Sequence, residues 1–563
     1  MLQIVTGKFF TKERYDSEAS GKLYSNFKYG GEIKLCHGQL AKEPSVNHSN
    51  INTYIYSYKS GLEKKDGPGL IQVGTNEVLE QLSLICSFTL KSYFSKDQEK
   101  LETQTINSNN FIPSRFLKGY FENEIIGTGE DIKFLIENVY QILSLPRETY
   151  KVIIKCLDRL VESIRTVKYD INAAYSMLVY ALETLSQSFD NFTPTWEDYD
   201  QKVRRKLDKV FKDLKVEQST ALKDVLLDSA HLKLQKRFIT FITQHLTQDF
   251  FTTNAQGLKR ALKKSDLVQT LNNAYSIRSG YVHQLVPMMN QLTIPLESET
   301  VQWGNQPYLT YNGLFRLTYN VIQSFINNHE NLGHEEWNWE DDLPGMMYVN
   351  LAPEYWVHKA DNFIPEVCKQ RLEGLLSIIS TASFYGKEQG IPSVDNLLSK
   401  IEELLPQAKK QDKLPMFIIY MIYNDIMEDE KRLKYERVYK THQSLLTECN
   451  IMTLTYSLLF EEESWTWNLE ECVKVYSQYE KRRYNDKAFL LPSFIEIMMV
   501  LEIGNCYFDQ GDYINYRKYL EKGILDLAGS KELQDFLSDS LLSNSKVDLN
   551  EFINLNRKLS NFI

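Results

Sequence analysis

The hydrophobic pattern of this chain changes period once, early, and does not change back. Up to about residue 115 it favours strands. The runs Leu2–Phe10, Glu32–Leu40 and Ile51–Tyr58 are rich in Ile, Tyr, Val and Thr, and apolar and polar residues alternate from Asn52 to Tyr58. Turn-prone groups, Tyr29–Gly31 and Asp66–Gly69, separate them. Residues Asn76–Phe94 read as a helix closing this region. From about 130 the apolar residues recur at steps of three and four, through Ile132–Leu145, Glu148–Thr166, Ile171–Phe189, the segment after Ser265 and Leu314–Asn327. Pro194, Gly257, Pro287 and Pro295 punctuate these helices. The acidic, Trp-containing stretch His334–Pro344 reads as a connection, and the chain beyond 352 is again helical.

The predicted fold is α+β and mainly α. A β-rich N-terminal domain, expected from the architecture to sense a trigger or restrain activity, spans 1–115, a helical bundle 116–333 and an α-helical, repeat-like domain 334–563. In the last of these, Ile503, Gly504, Tyr507, Gly511, Tyr513, Leu520 and Gly523 resemble one tetratricopeptide repeat, with small residues where two helices touch. The 563 residues suffice for about three or four domains of ~150 residues. The net charge of −10 argues against a protein that coats nucleic acid non-specifically, but it leaves room for a local basic pocket. The seven cysteines form no C-x-x-C pair, which argues against a disulfide framework or a zinc ribbon and favours a reducing, cytoplasmic setting. The N-terminus lacks the pattern of a signal peptide. No run approaches the ~20 apolar residues of a membrane span.

The segment after Ser265 carries the most chemistry. Ser265 is placed to cap a helix beginning at Asp266 and Leu267. At 100° per residue, Leu267, Leu271, Ala274, Tyr281 and Leu285 form an apolar stripe, and Arg278 projects into its middle. An arginine there needs a carboxylate or an anion. His283 lies about 140° around and ~7.5 Å further along an ideal helix. Gly280 and Pro287 favour a bend or a helix end that would turn the imidazole towards Arg278. Two subunits sharing one cleft would also bring the groups together. The plainer alternative is an arginine paired with a structural carboxylate beside an ordinary helix-end histidine. Between Ile171 and Phe189 the single charged residue is Glu183, so that helix is expected to be buried on most sides or to lie in an interface. Glu183 is then either an exposed carboxylate or one that faces a cleft and orients Arg278 or His283.

Ile277–His283, with Arg278 and His283 separated by four residues, resembles the R-x(4-6)-H motif of the HEPN superfamily, in particular its Apea-like branch of prokaryotic anti-phage and toxin proteins. Ala181–Leu185 resembles the family's earlier acidic helix, and the resemblance covers roughly residues 130–330. It implies a metal-independent endoribonuclease without a cofactor. His283 would be the general acid/base and Arg278 the phosphate ligand. Glu183 would orient the pair, and Ser279 would stand where the family carries a polar residue. It also implies a homodimer, products with 2′,3′-cyclic phosphate and 5′-hydroxyl ends, tRNA as a candidate substrate, and a phage-derived or regulatory protein as a candidate trigger. The runner-up is a non-catalytic helical scaffold with an inactive bundle.

Two basic runs are candidate RNA contacts: Lys259, Arg260, Lys263 and Lys264 just before the Arg278 helix, and Lys202–Lys209 on another helix. Each has the alternative of a solvated surface. His329, His334, Glu335 and Glu336 are conceivable metal ligands, but five-residue histidine spacing does not share a helix face, and an inter-domain loop is the preferred reading. Cys36, His37 and His48 form a weaker cluster.

Overall fold

The computed structural model describes residues 1–12, 17–44, 51–60, 74–105, 117, 119–189, 195–198, 201–212, 214–229, 234–294, 297–343, 351–361, 363–385, 395–426, 435–460, 465–485 and 488–560. It is mainly helical, with some β structure, and divides into two compact units, Met1–Met347 and Tyr348–Ile563.

In the first unit, strands β1 (Glu18–Ser25), β2 (Ile33–Leu35), β3 (Gly38–Lys42), β4 (Asn52–Lys59) and β5 (Phe94–Ser95) form an antiparallel sheet in the order β2-β3-β4-β1-β5. The alternation read from Asn52 to Tyr58 is present: Asn52, Tyr54, Tyr56 and Tyr58 are buried along β4. Helix α1 (Thr75–Leu90) covers the sheet. Its Leu79 lies where a Cβ on Gly21 of β1 would be, 2.4 Å away, so the close crossing needs glycine. Residues 2–10, expected as a strand, instead begin with one helical turn, Leu2–Val5. Leu2, Ile4 and Val5 are all buried, and buried Gln3 donates to the carbonyls of Leu143 and Leu145. A segment enclosed on every side has no solvent face to alternate with. Strand β1 was not foreseen. The expected turn at Asp66–Gly69 lies outside the described residues.

The unit also contains helices α2 (Gly129–Ser144), α3 (Arg147–Thr166), α4 (Ile171–Phe189), α5 (Leu234–His245), α6 (Leu267–Gln284) and α7 (Tyr311–Asn328). Helix α4 packs against α3, α5, α6 and α7, which accounts for its lack of charge. A hairpin, β6 (Thr300–Trp303) and β7 (Gln306–Leu309), turns through Gly304 and Asn305, both at positive φ, and braces α6. One hydrophobic core runs from Met1 to Leu343, so the segments read as a β-rich domain and a helical bundle share their interior.

The stretch read as a connection is docked on this unit as far as Leu343. Trp339 is buried, Asp342 pairs with buried Arg147 at 2.9 Å, and the Trp337 indole donates to Asp342 at 2.9 Å. Glu335 accepts from the Arg147 backbone N–H at 2.8 Å, an acidic cap on the first turn of α3. His329 sits 3.1 Å from the Thr149 hydroxyl, among the rings of Phe189 and Phe325. These partners account for His329 and Glu335 among the residues weighed as metal ligands; His334 and Glu336 are exposed.

The second unit is helical among its described residues and includes α8 (Cys368–Tyr385), α9 (Lys410–Ile426), α10 (Ser493–Asp509) and α11 (Tyr513–Asp526). Helices α10 and α11 form the hairpin that the tetratricopeptide-like cadence suggests. Gly504 lets the Tyr519 side chain approach to 3.5 Å of where a Cβ would be. Gly523 does the same for Leu501 at 3.0 Å. Cys449 and Cys472, scattered in sequence, have sulfurs 4.0 Å apart, and all seven cysteines are free thiols.

Candidate functional site

The site is the seam between α4 and α6. The stripe on α6 is buried at Leu267, Leu271 and Ala274. At Arg278 it turns into an ion pair: the guanidinium Nη2 donates to the Glu183 carboxylate, and the side chains are 14% and 5% exposed. Of the two readings of Glu183, the exposed one is therefore excluded. The guanidinium also lies over the Tyr180 ring at 4.4 Å and beside the Tyr275 ring at 5.6 Å. Burial raises the Glu183 pKa, while the charge of Arg278 and the nearby Tyr275 hydroxyl oppose the rise. Arg278 Nε is buried without an acceptor.

A second clasp ties the end of α6 to the start of α4. Asp170 accepts from the backbone N–H groups of Asn172 and Ala173 at 2.8 and 3.1 Å, and from the Tyr281 hydroxyl at 2.6 Å. Burial works against this carboxylate, but the hydrogen bonds outweigh it and hold its pKa below the usual value. The Asn172 side chain accepts from the Met288 backbone N–H at 2.8 Å.

The rest of α6 departs from expectation. Ser265 does not cap it; a 3₁₀ turn over Lys264–Asp266 leads in, and Asp266 makes no side-chain capping bond. The helix is not broken at Gly280. The helix continues to Gln284 and ends in a left-handed residue, Leu285. There the Leu285 and Val286 N–H groups return to the carbonyls of Tyr281 and Gly280, so Pro287 follows the helix without breaking it. His283 therefore keeps the angular separation of a regular helix from Arg278 and is exposed. Around it stand exposed Val282, Leu285 and Val286; Leu285 is 78% exposed. Within one subunit, the expected turning of the imidazole towards Arg278 is absent. Ser279 is half-buried.

No protein-family model, curated protein or solved structure matches the chain.

Lys259, Arg260, Lys263 and Lys264 are exposed, and Lys259 pairs with Glu297 at 2.5 Å. They precede the first turn of α6, whereas His283 is in its last turn, ~24 Å away along the axis. Nearness in sequence does not make them neighbours of the histidine. The Lys202–Lys209 run lies on the helix Gln201–Phe211, where Arg205, Lys206 and Lys209 are exposed. The sequence reading missed Tyr180 and Tyr275. Tyr180 stands three residues before Glu183 on α4 and Tyr275 three before Arg278 on α6, a spacing at which helix side chains meet.

Proposed function

We propose that the chain is a metal-independent endoribonuclease of the HEPN type, acting in anti-phage defence with tRNA as a candidate substrate. One observation carries the reading: an arginine set in an apolar stripe is held by a buried carboxylate, and a histidine one and a half turns further on is left exposed. His283 takes the proton of the ribose 2′-hydroxyl or returns one to the leaving 5′-oxygen. Arg278 stabilises the charge that develops on the phosphate. Glu183 fixes the arginine, and Ser279 lies beside it on α6. Because the two motif side chains diverge on a regular helix, the active form is a homodimer in which two α6 ends face each other. Exposed Val282, Leu285 and Val286 supply the apolar rim of that contact. Lys259, Arg260, Lys263 and Lys264 serve as distant phosphate contacts at the other end of α6. A phage-derived or regulatory protein is the candidate trigger.

The test is incubation of the purified protein with total tRNA, with and without EDTA. We expect cutting that survives EDTA and leaves 2′,3′-cyclic phosphate ends. His283→Ala should lower the rate by about 100-fold or more. This is a cleaner variant than Arg278→Ala, which also leaves Glu183 buried and unpaired. An undiminished rate in His283→Ala excludes this site.

The second reading is a non-catalytic scaffold. The Glu183–Arg278 pair favours it, because a carboxylate already neutralises the arginine. Absence of cutting under every trigger supports that reading.

A further inference from the structure

Four well-covered arginines of the first unit have anionic or phenolic partners: Arg147 has Asp342, Arg165 has Glu162 and Tyr93, Arg278 has Glu183 and Arg316 has Glu299. In the second unit Arg483 has Glu496. Arg371, on α8, does not follow this pattern. It is 8% exposed, yet its guanidinium makes no hydrogen bond or ion pair among the described residues, and Nη1 is sealed without an acceptor. The rings of Trp356 and Phe363 flank it at 5.6 and 5.7 Å. Gly374, nearly one turn further along α8, makes room for Trp356 and its neighbour Val357, whose atoms lie 2.7 and 2.6 Å from where its Cβ would be.

A second orphan stands on the facing helix. Tyr423 of α9 is 1% exposed, and its hydroxyl has no partner. Burial lowers the Arg371 pKa, and the opposing influence is the Tyr423 phenol, not a carboxylate. Asp412, the buried acid on α9, acts instead on Cys368. A mostly buried cation without a counter-charge is unfavourable, so a site that retains one suits an anion.

We propose that Arg371 and Tyr423 form a binding site for a small carboxylate, with Trp356 and Phe363 as its apolar walls. The guanidinium fork matches a carboxylate, and the phenol supplies another donor. A single positive charge balances a monoanion and leaves a dianionic phosphate half-neutralised. The site lies in the second unit and is independent of the ribonuclease reading.

The experiment is thermal unfolding of the full chain in acetate, benzoate or inorganic phosphate, each against chloride at matched ionic strength. The expected result is a saturable rise in the midpoint with a carboxylate, larger than with phosphate. R371M, which removes a buried charge, should unfold at or above the wild-type temperature without ligand and lose the response. Y423F should keep the fold and show a weaker response, which preserves the test if R371M does not fold. Equal responses in the wild type and both variants, no response to either carboxylate, or a response to phosphate matching theirs would overturn the proposal.

Discussion

Removing the Glu183 carboxylate leaves the Arg278 guanidinium half-buried against Tyr180 with no counter-charge. Breaking a buried pair in this way costs about 3–5 kcal/mol. Glu183→Ala should therefore lower the unfolding free energy by that amount in urea titrations. His283→Ala, at an exposed position, should stay within about 0.5 kcal/mol. Similar losses in the two variants would mean that the pair contributes little to folding. Tyr275→Phe removes the hydroxyl that opposes the rise of the Glu183 pKa and should raise that pKa further, as a carboxyl titration followed by NMR would show. Arg278 was legible in the sequence because a cation in an apolar stripe demands an explanation, and Glu183 because it is the one charge on its helix. The tyrosines were not, since an aromatic residue at helical spacing looks like ordinary core.

At the scale of elements, α6 ends on a strained residue. Leu285 has φ +54°, a conformation that costs a side-chain-bearing residue about 1–2 kcal/mol, and its side chain projects into solvent. Leu285→Gly should raise stability by about 0.5–1 kcal/mol, because little packing is lost. If α6 ends meet in a dimer, the same change should weaken self-association in sedimentation. A gain in stability with unchanged association would separate the cap from the interface. The clasp at Asp170 makes a pH prediction. A depressed folded pKa contributes stability above the unfolded value near 3.9, and that contribution disappears as pH falls through the folded value. The advantage of the wild type over Asp170→Ala should shrink as pH drops from about 5 towards 3; a constant difference would show that the carboxylate's charge is irrelevant. Helices α2, α3, α4 and α7 were legible from their apolar period, which burial of one face enforces. Strand β1 was not, because Glu18–Ser25 contains no β-branched residue and one aromatic; pairing with β4 and cover from α1 make it a strand. The unbroken end of α6 was missed for a related reason. Gly280 weakens helix propensity by about 1 kcal/mol, too little to outweigh the clasp that Tyr281 and Met288 make with α4.

For the whole molecule, the sequence showed where the pattern changes period but not that both sides of the change share an interior. Leu82, Ile85 and Phe88 of α1 are buried in the same core as Ile153 and Leu157 of α3, and the Phe88 ring packs at a tilt on Tyr319 of α7, centroids 4.6 Å apart. The docked stretch through Trp339 and Asp342 adds contacts from the other end. A fragment cut at 130–330, the span that resembles a HEPN domain, would expose the faces of α2 and α3 that α1 covers, and Arg147 would lose Asp342. Such a fragment should be insoluble or unfold without a cooperative transition. A fragment of 1–347 keeps the core intact and should melt cooperatively. Circular dichroism melts of the two fragments decide the matter. A cooperative, soluble 130–330 piece would mean that the N-terminal sheet is a dispensable layer, and a sensing role separate from the helical bundle would regain its physical basis. If only 1–347 folds, any signal reaching the sheet acts on the same packed interior that holds Glu183 against Arg278.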